Sequence, residues 1–553
     1  MLEKEPGNPL VHRLRVIHIY EADYNLLLKL LWARKLTWNA HLNGTLHEAQ
    51  AGSRPGKRAI DLVVYKEQKY LYSRLTRTPL LTMDNDAKAC YDRIVCNLAM
   101  LISQYFGMPQ NACSMQAKTL ENMEFHLKTA LGLSENYYKH TSTTPVHGSG
   151  QGSCASPTLW LLISTILMRC LDQGNPGMAM VQINKTEKIL RSSIDGFVDD
   201  TSSFTNIPFQ YSNMNEAVRN LQVATQTWSK LLEASGGKLE LSKCFYYVLS
   251  WKFSNEGEPI PMTFEEQEQE QYPKITITDP DSNNEIYIQQ KECQCHHKTL
   301  GVYKNILGDD TYQYRELLKK SNNMAQIASG AKMSKHQARV AFHMIYLPTI
   351  NYSLPACSFT LQQTESIQAK ALENFLPAMG WRRTSSRALV HGPLEYGGYD
   401  IPHLYALQGM QKLTTMINHI RANTELGQLF LTNINWIQLL SGRGVQFLSD
   451  NYKIEYLPEN WTLHIQSYMQ ECNIFLKSES IWVPQLARHN DKFLMDAVII
   501  TNCGLKKLQI INNWRVYFKA LRLSDICDGY GKQILLPYRK YTASSQWNVI
   551  NKG

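Results

Sequence analysis

Long apolar runs are missing from this sequence, and none approaches the roughly 18 uninterrupted apolar residues that a membrane span needs. The most apolar segment, LWLLISTILMRCL (159–171), is short and carries Arg169 near its end, which suits a buried helix. The N-terminal stretch MLEKEPGNPLVHRLRV has no apolar core of the kind a secretion signal carries. The twelve cysteines have no recurring spacing, so no disulfide framework is implied. Reduced thiols in an intracellular protein, nuclear or cytoplasmic, are expected. No internal repeat or low-complexity tract is present either, which argues against a solenoid or a disordered array. A strong charge imbalance is lacking too: 57 Lys and Arg face 48 Asp and Glu, a mild excess that tilts toward a polyanionic partner without identifying one. What is present is core material. Apolar residues make up 44% of the 553-residue chain, enough for roughly three or four packed domains.

The pattern along the chain alternates. HRLRVIHIY begins extended and EADYNLLLKLLWARKLTWNAHL (21–42) reads as a long helix. A Gly/Pro turn at 52–56 leads into a second helix, and PLLTMD is a short apolar strand ending in acids. Helices are expected over 88–106 and 115–132, and a Gly/Ser loop, TTPVHGSGQGSCASP, opens onto the apolar helix 157–171. RSSIDGFVDDTSSFTN (191–206) reads as strand, turn, strand, followed by a helix over 213–235 and a further strand in GGKLELSKCFYYVLSWKF. The acidic stretch FEEQEQEQY (264–272) reads as a solvated loop. Beyond Tyr312 the pattern is mainly helical. The centre thus follows the order of a split β-α-β-β-α-β sheet within an α/β (α+β) chain.

Asp199 and Asp200 stand side by side at the end of an apolar strand. An exposed turn is the plain explanation of an Asp pair. Two carboxylates that close also repel unless a cation lies between them. A third acid on a neighbouring strand end would favour the cation, and LLTMDNDAKACYD offers Asp84 and Asp86, two apart and so on one face. Clamping two Mg²⁺ ions for phosphoryl transfer needs such a set. KECQCHHK holds Cys293, Cys295, His296 and His297, but structural zinc sites space paired ligands more widely and draw on two segments, so a strand end with incidental thiols is expected there.

DAKACYD (86–92), GSGQGSCASPTLW (148–160), FVDD (197–200), GGKLELSKC (236–244) and KTLGVY (298–303) occur in that order, and they resemble motifs A to E of reverse transcriptases. Upstream, RLRVIHI and EAQAGSRPGK look like finger motifs of the non-LTR (LINE-type) retrotransposon branch. The resemblance implies a right-hand polymerase: fingers in 1–80, palm with part of the fingers (100–150) in 81–305, and a helical thumb in 306–425. It assigns no chemistry to 426–553. The chain begins almost directly in the fingers, which points to a truncated element.

The roles follow by resemblance. Asp86, Asp199 and Asp200 would be catalytic and bind two Mg²⁺, with Mn²⁺ as a substitute, and the Ala87 carbonyl would complete the shell. Motif A places an aromatic gate five positions after its acid, which selects Asp86 over Asp84 and makes Tyr91 the residue that excludes a ribose 2′-OH. Gln151 and Gly152 would lie against template or nucleotide, Gly152 by letting the backbone approach the nascent base pair. Lys243 would donate a proton to pyrophosphate, and Arg15 and Arg54 would meet triphosphate or template backbone as bidentate donors. Val198 and Phe197 ahead of the acids, and Cys154 where Pro is common, depart from the pattern without disabling it. The implied partners are an RNA template, a DNA primer or target DNA, and dNTPs. Two rivals stand beside this. Gly308-Asp309-Asp310 in isolation suggests an RNA-dependent RNA polymerase, though a loop turn fits its place better. An inactive nucleic-acid-binding remnant is the other.

Overall fold

In the computed structural model the described residues are 2–3, 14–15, 17–88, 90–129, 132–141, 146–183, 189–207, 214–254 and 258–535. The apolar run before Asp86 forms strand β1 (Leu80–Asn85), next to helix α1 (Ala59–Thr76) in sequence. The FVDD segment supplies β2 (Ile194–Phe197) and β3 (Asp200–Asn206). Strands β4 (Phe245–Leu249) and β5 (Gln289–Lys291) complete one sheet in the order β5-β4-β1-β3-β2. The β1–β4 strands pair antiparallel throughout, and β5 joins β4 in parallel. Helix α2 (Ser156–Gly174) crosses from β1 to β2, and α3 (Met214–Ala234) from β3 to β4. This is the split β-α-β-β-α-β order, with β5 added on one edge.

Alternation along the strands feeds two cores. Leu81, Met83, Ile194, Tyr246 and Val248 pack on Trp160 of α2 and Leu221 and Trp228 of α3. Leu80, Phe204, Tyr247 and Leu249 face the other way, toward Val63, Val64 and Tyr70 of α1. That second core continues into α4 (Thr311–Gly330), α5 (Leu361–Ala378), α6 (Leu404–Arg421), α7 (Glu425–Ser441) and α8 (Trp461–Glu471). It runs past residue 425 without a break. Asn433 of α7 donates to the main-chain and side-chain oxygens of Gln68 at 2.9 Å, and Tyr65 donates to Glu425 at 3.1 Å. Helix α1 is therefore enclosed on all sides.

Two segments differ from expectation. The helix expected over 115–132 ends at Asn122, and Glu124–Thr129 pairs with Gly132–Lys139 as a hairpin. Phe125 and Leu127 alternate with polar residues, a strand period that the neighbouring helical pattern obscured. The acidic stretch expected to be a loop forms the helix Phe264–Gln269, because Thr263 and Glu266 close a reciprocal capping box. Its Gln267 is buried and donates to the Val248 carbonyl at 2.8 Å. Among the described residues no helix is long and apolar enough to cross a membrane.

Candidate active site

Strand register brings the acids together. β2 and β3 form a tight hairpin in which Phe197 pairs with Asp200, so Val198 and Asp199 are its turn. β1 pairs Asp84 with Ser202 and Asn85 with Thr201, so that Asp86 leaves the end of β1 where Asp200 opens β3, and both line one cavity. Directly opposed residues hold their Cβ atoms about 4.5–5.5 Å apart. Because side chains alternate, Asp84, Asp86, Asp200 and Ser202 share the sheet face turned toward α1.

Beyond the strand the chain stays anchored. The Asp86 carbonyl accepts from Glu240 N, and Lys88 N donates to the Lys238 carbonyl, both at 2.8 Å. Ala87 bridges Leu239 between them. The 238–240 segment is thus zipped along 86–88, and it delivers Lys243, whose ammonium lies 3.4 Å from the Asp86 carboxylate and remains 64% exposed. The charges are felt. Burial, then Asp199 and Asp86, push the Asp200 carboxyl up to about 6, with Lys66 opposing. Burial, then Cys90 and Asp199, push the Tyr91 phenol up. A cavity of about 140 Å³ opens here, with Asp86, Asp200, Asn85 and Lys243 in its wall.

These donors suit a divalent cation of hard character. All are oxygens, and their mutual repulsion is what a cation would relieve. Among the described residues, however, no group of three or more Asp, Glu, His or Cys side chains already stands in ligating geometry. The acids are gathered without being closed around one point. Mg²⁺ keeps several waters and is commonly held by one or two carboxylates plus substrate phosphates, so an open set is compatible with it.

Asp84 lies beneath the site and is spent on structure. It accepts from Lys66 and from Ser202 Oγ, and His297 Nε2 is 3.6 Å away. His297 is held neutral: burial first, and then Lys66, lower it to about 3. The Cys/His group disperses as well. Cys293 is buried with its thiol on the Val248 carbonyl, His296 meets the Asp309 carbonyl at 3.0 Å, and Cys295 is exposed. The Gly308-Asp309-Asp310 run is a structural turn, in which Asp310 accepts from Lys304 at 2.7 Å and from Ser358 N at 2.8 Å.

Other expected site residues have protein partners. Gln151 donates to Asp92 at 3.4 Å, and its carbonyl accepts from His18 N at 2.7 Å. Gly152, at φ +125°, is required by the protein itself: a Cβ there would sit 2.1 Å from the His18 carbonyl oxygen. Arg54 is not free for a triphosphate. Its side chain is 3% exposed and bonded to Glu48 at 2.6 Å and to the His47 carbonyl at 2.9 Å. Arg15 lies on the short strand Leu14–Arg15, and its side chain is outside the described residues. What sequence reasoning missed are Lys66, Gln50 and Trp160. Lys66 reads locally as one more polar helix residue, and no local pattern marks a glutamine or an indole whose partner is a main-chain group over thirty residues away.

No family model matches the sequence, and no curated protein matches it. Among solved structures, similarity is found to the telomerase of Candida albicans in complex with a fragment of telomeric RNA, at 11% identity and TM-score 0.25, over 72% of this chain and 56% of that one. The telomerase of Candida tropicalis with the same kind of fragment gives 12% identity and 0.29, over 74% and 58%. Its apo form gives 11% and 0.25, over 74% and 59%. The chain spans less than three fifths of those proteins' length. Likeness at that level says nothing of function, which the carboxylate geometry must carry.

Proposed function

We propose that the chain is an RNA-directed DNA polymerase of non-LTR retroelement type, extending a DNA 3′-hydroxyl on an RNA template with dNTPs. The observation that carries this is that Asp86, just past the end of β1, and Asp200, at the start of β3, line one cavity, with Asp199 in the adjoining turn. Asp86, Asp199, Asp200 and the Ala87 carbonyl would hold two Mg²⁺ ions, or Mn²⁺ in their place. Bound there, such ions activate the attacking hydroxyl and stabilise the leaving pyrophosphate. The chain's own groups do the rest. Tyr91 would bar a ribose 2′-OH. Lys243, exposed beside Asp86, would donate the proton that pyrophosphate takes up. Gln151, tethered to Asp92, would support the template side of the nascent pair. The basic surface of α4 and the segment after it would follow the duplex through its phosphates, with salt-sensitive affinity. The sheet is then the palm, and α4 to α6 belong to the thumb.

The test is primer extension by purified protein on an oligo-dT/poly-rA substrate with Mg²⁺, wild type against Asp199→Ala. The expected result is template-dependent extension that falls at least about a hundredfold in the variant. Binding without extension by the wild type would select the remnant reading. Incorporation of NTPs in preference to dNTPs would select the RNA polymerase.

A further inference from the structure

Val198 is a β-branched residue at φ +61°, in the left-handed region that such side chains avoid. It is the first residue of the turn that carries Asp199. Something must hold it there, and local sequence does not, since glycine or asparagine is the residue that favours this position.

Two buried side chains grip the Val198 peptide groups. Gln50, 0% exposed, accepts from Val198 N at 3.1 Å through Oε1 and donates to the Val198 carbonyl at 3.2 Å through Nε2. One amide thus closes on both main-chain polar groups of a single residue. Trp160, 2% exposed, donates from its indole to the same carbonyl at 2.5 Å. Gln50 is itself fixed: Oε1 accepts from Gly52 N at 2.9 Å, and Nε2 donates to Ser164 of α2 at 3.0 Å. The main chain around it is laid along the outer edge of β2, with Gly196 N donating to Ala49 and Ala51 N donating to Gly196, at 2.9 and 2.8 Å. Gly52 then presses on the turn so closely that a Cβ would lie 2.2 Å from Val198 N. Two separate chain segments, 49–52 and α2, converge on one strained peptide.

We infer that Gln50 and Trp160 are positioning residues, holding Val198 in its left-handed conformation so that Asp199 and Asp200 are presented for cation binding. The inference rests on the polymerase reading of these acids. It goes beyond it by assigning the geometry of the turn to residues that touch neither substrate nor metal. Without the clamp the turn relaxes toward negative φ at Val198, and the Asp199 carboxylate swings away from Asp86. A glycine at 198 has no such preference and needs no clamp.

The experiment measures Mn²⁺ binding alone, by the loss of the free-ion electron paramagnetic resonance signal, with primer extension run in parallel. Gln50→Ala is expected to weaken Mn²⁺ binding about 5- to 30-fold, the range set by the cost of a left-handed residue. Gln50→Ala/Val198→Gly is expected to regain binding to within about threefold of wild type, a rescue that a general packing role for Gln50 would not produce. Should Gln50→Ala fail to fold, Trp160→Phe keeps an aromatic ring at the site while removing the indole donor. It should show a smaller loss that Val198→Gly also restores. Unchanged Mn²⁺ binding in Gln50→Ala and Trp160→Phe overturns the inference, as does a loss that Val198→Gly leaves uncorrected. A wild type that binds Mn²⁺ no better than Asp199→Ala refutes the underlying reading of the acids instead, and the inference falls with it.

Discussion

Replacing Lys66 with methionine tests whether the layer beneath the carboxylates is held by charge. The Lys66 side chain is 6% exposed and that of its partner Asp84 15%, and the ammonium also donates to Ser202 Oγ at 3.1 Å. Methionine keeps most of the stem and removes the charge. Asp84 is then left with Ser202 Oγ at 2.5 Å and with His297 at 3.6 Å. His297 does not take its place, because burial, the larger cause that lowers it, persists when Lys66 is gone. Removing one member of a buried pair costs about 3–5 kcal/mol, and the residual exposure of Asp84 argues for the lower end, about 3 kcal/mol.

The pH dependence carries a sign. In the wild type burial pushes the Asp84 carboxyl up, but the Lys66 charge and the hydrogen bonds from Lys66 and Ser202 more than reverse this and leave it below its ordinary value. It therefore adds stability above the ordinary carboxylate range, and that stability is lost as pH falls through its lowered pKa. In Lys66→Met burial prevails, the carboxyl rises above its ordinary value, and its contribution turns unfavourable as pH climbs through that range. The gap between the two proteins should widen upward from about pH 4. Urea midpoints read by tryptophan fluorescence at pH 5 and pH 8 measure it. Lys66→Met/Asp84→Leu should recover most of the loss, since an apolar pair leaves no orphaned charge. A gap below about 1 kcal/mol, one equal at both pH values, or a double variant no better than the single would refute the reasoning.

Three further outcomes follow from the same geometry. Asp200, raised to about 6, must lose its proton to accept a cation, so apparent Mg²⁺ affinity in extension assays should fall about tenfold per pH unit below that value, and Asp200→Asn should abolish this slope. Gly52→Ala should destabilise by about 1–3 kcal/mol in chemical denaturation, because its Cβ would meet Val198 N at 2.2 Å, whereas Gly174→Ala, with nothing within 4 Å, should not. Arg54→Ala and Lys243→Ala should separate cleanly. The first breaks a pair in which Arg54 is 3% exposed and lowers the unfolding midpoint; the second removes a 64% exposed amine, leaves the midpoint unmoved and lowers the extension rate.

The strand–helix–hairpin–helix–strand order could be read from the sequence because each element repeats its own period within a few residues. Asp86 and Asp200 could be brought together because one follows an apolar strand and the other follows the two-residue turn after another, and so short a turn leaves little freedom in register. Arg54 could not be read correctly. A guanidinium beside a Gly/Pro turn gives no local sign that Glu48 and the His47 carbonyl will enclose it. Lys66 and Lys69 are the converse: polar residues of an amphipathic-looking helix that are buried because Asp84 and Asp195, far along the chain, meet them. Gly152 was legible as a close-approach glycine, but the approaching group is His18. In each case the residue type announced a need, and a distant partner decided how it was met.

That division explains why the candidate site is spread over so many segments. A hairpin turn bearing two acids is locally unfavourable twice over, through like charges and through Val198 at φ +61°. Neither penalty can be offset within the hairpin, whose strands are only four and seven residues long. The compensation has to come from elsewhere, and it arrives along the outer edge of β2, where residues 49–52 supply main-chain hydrogen bonds as well as the Gln50 amide. An edge strand needs covering in any case. The segment that covers this one also sets the angle of the acidic turn, so substitutions that loosen the edge should alter cation binding before they unfold the sheet.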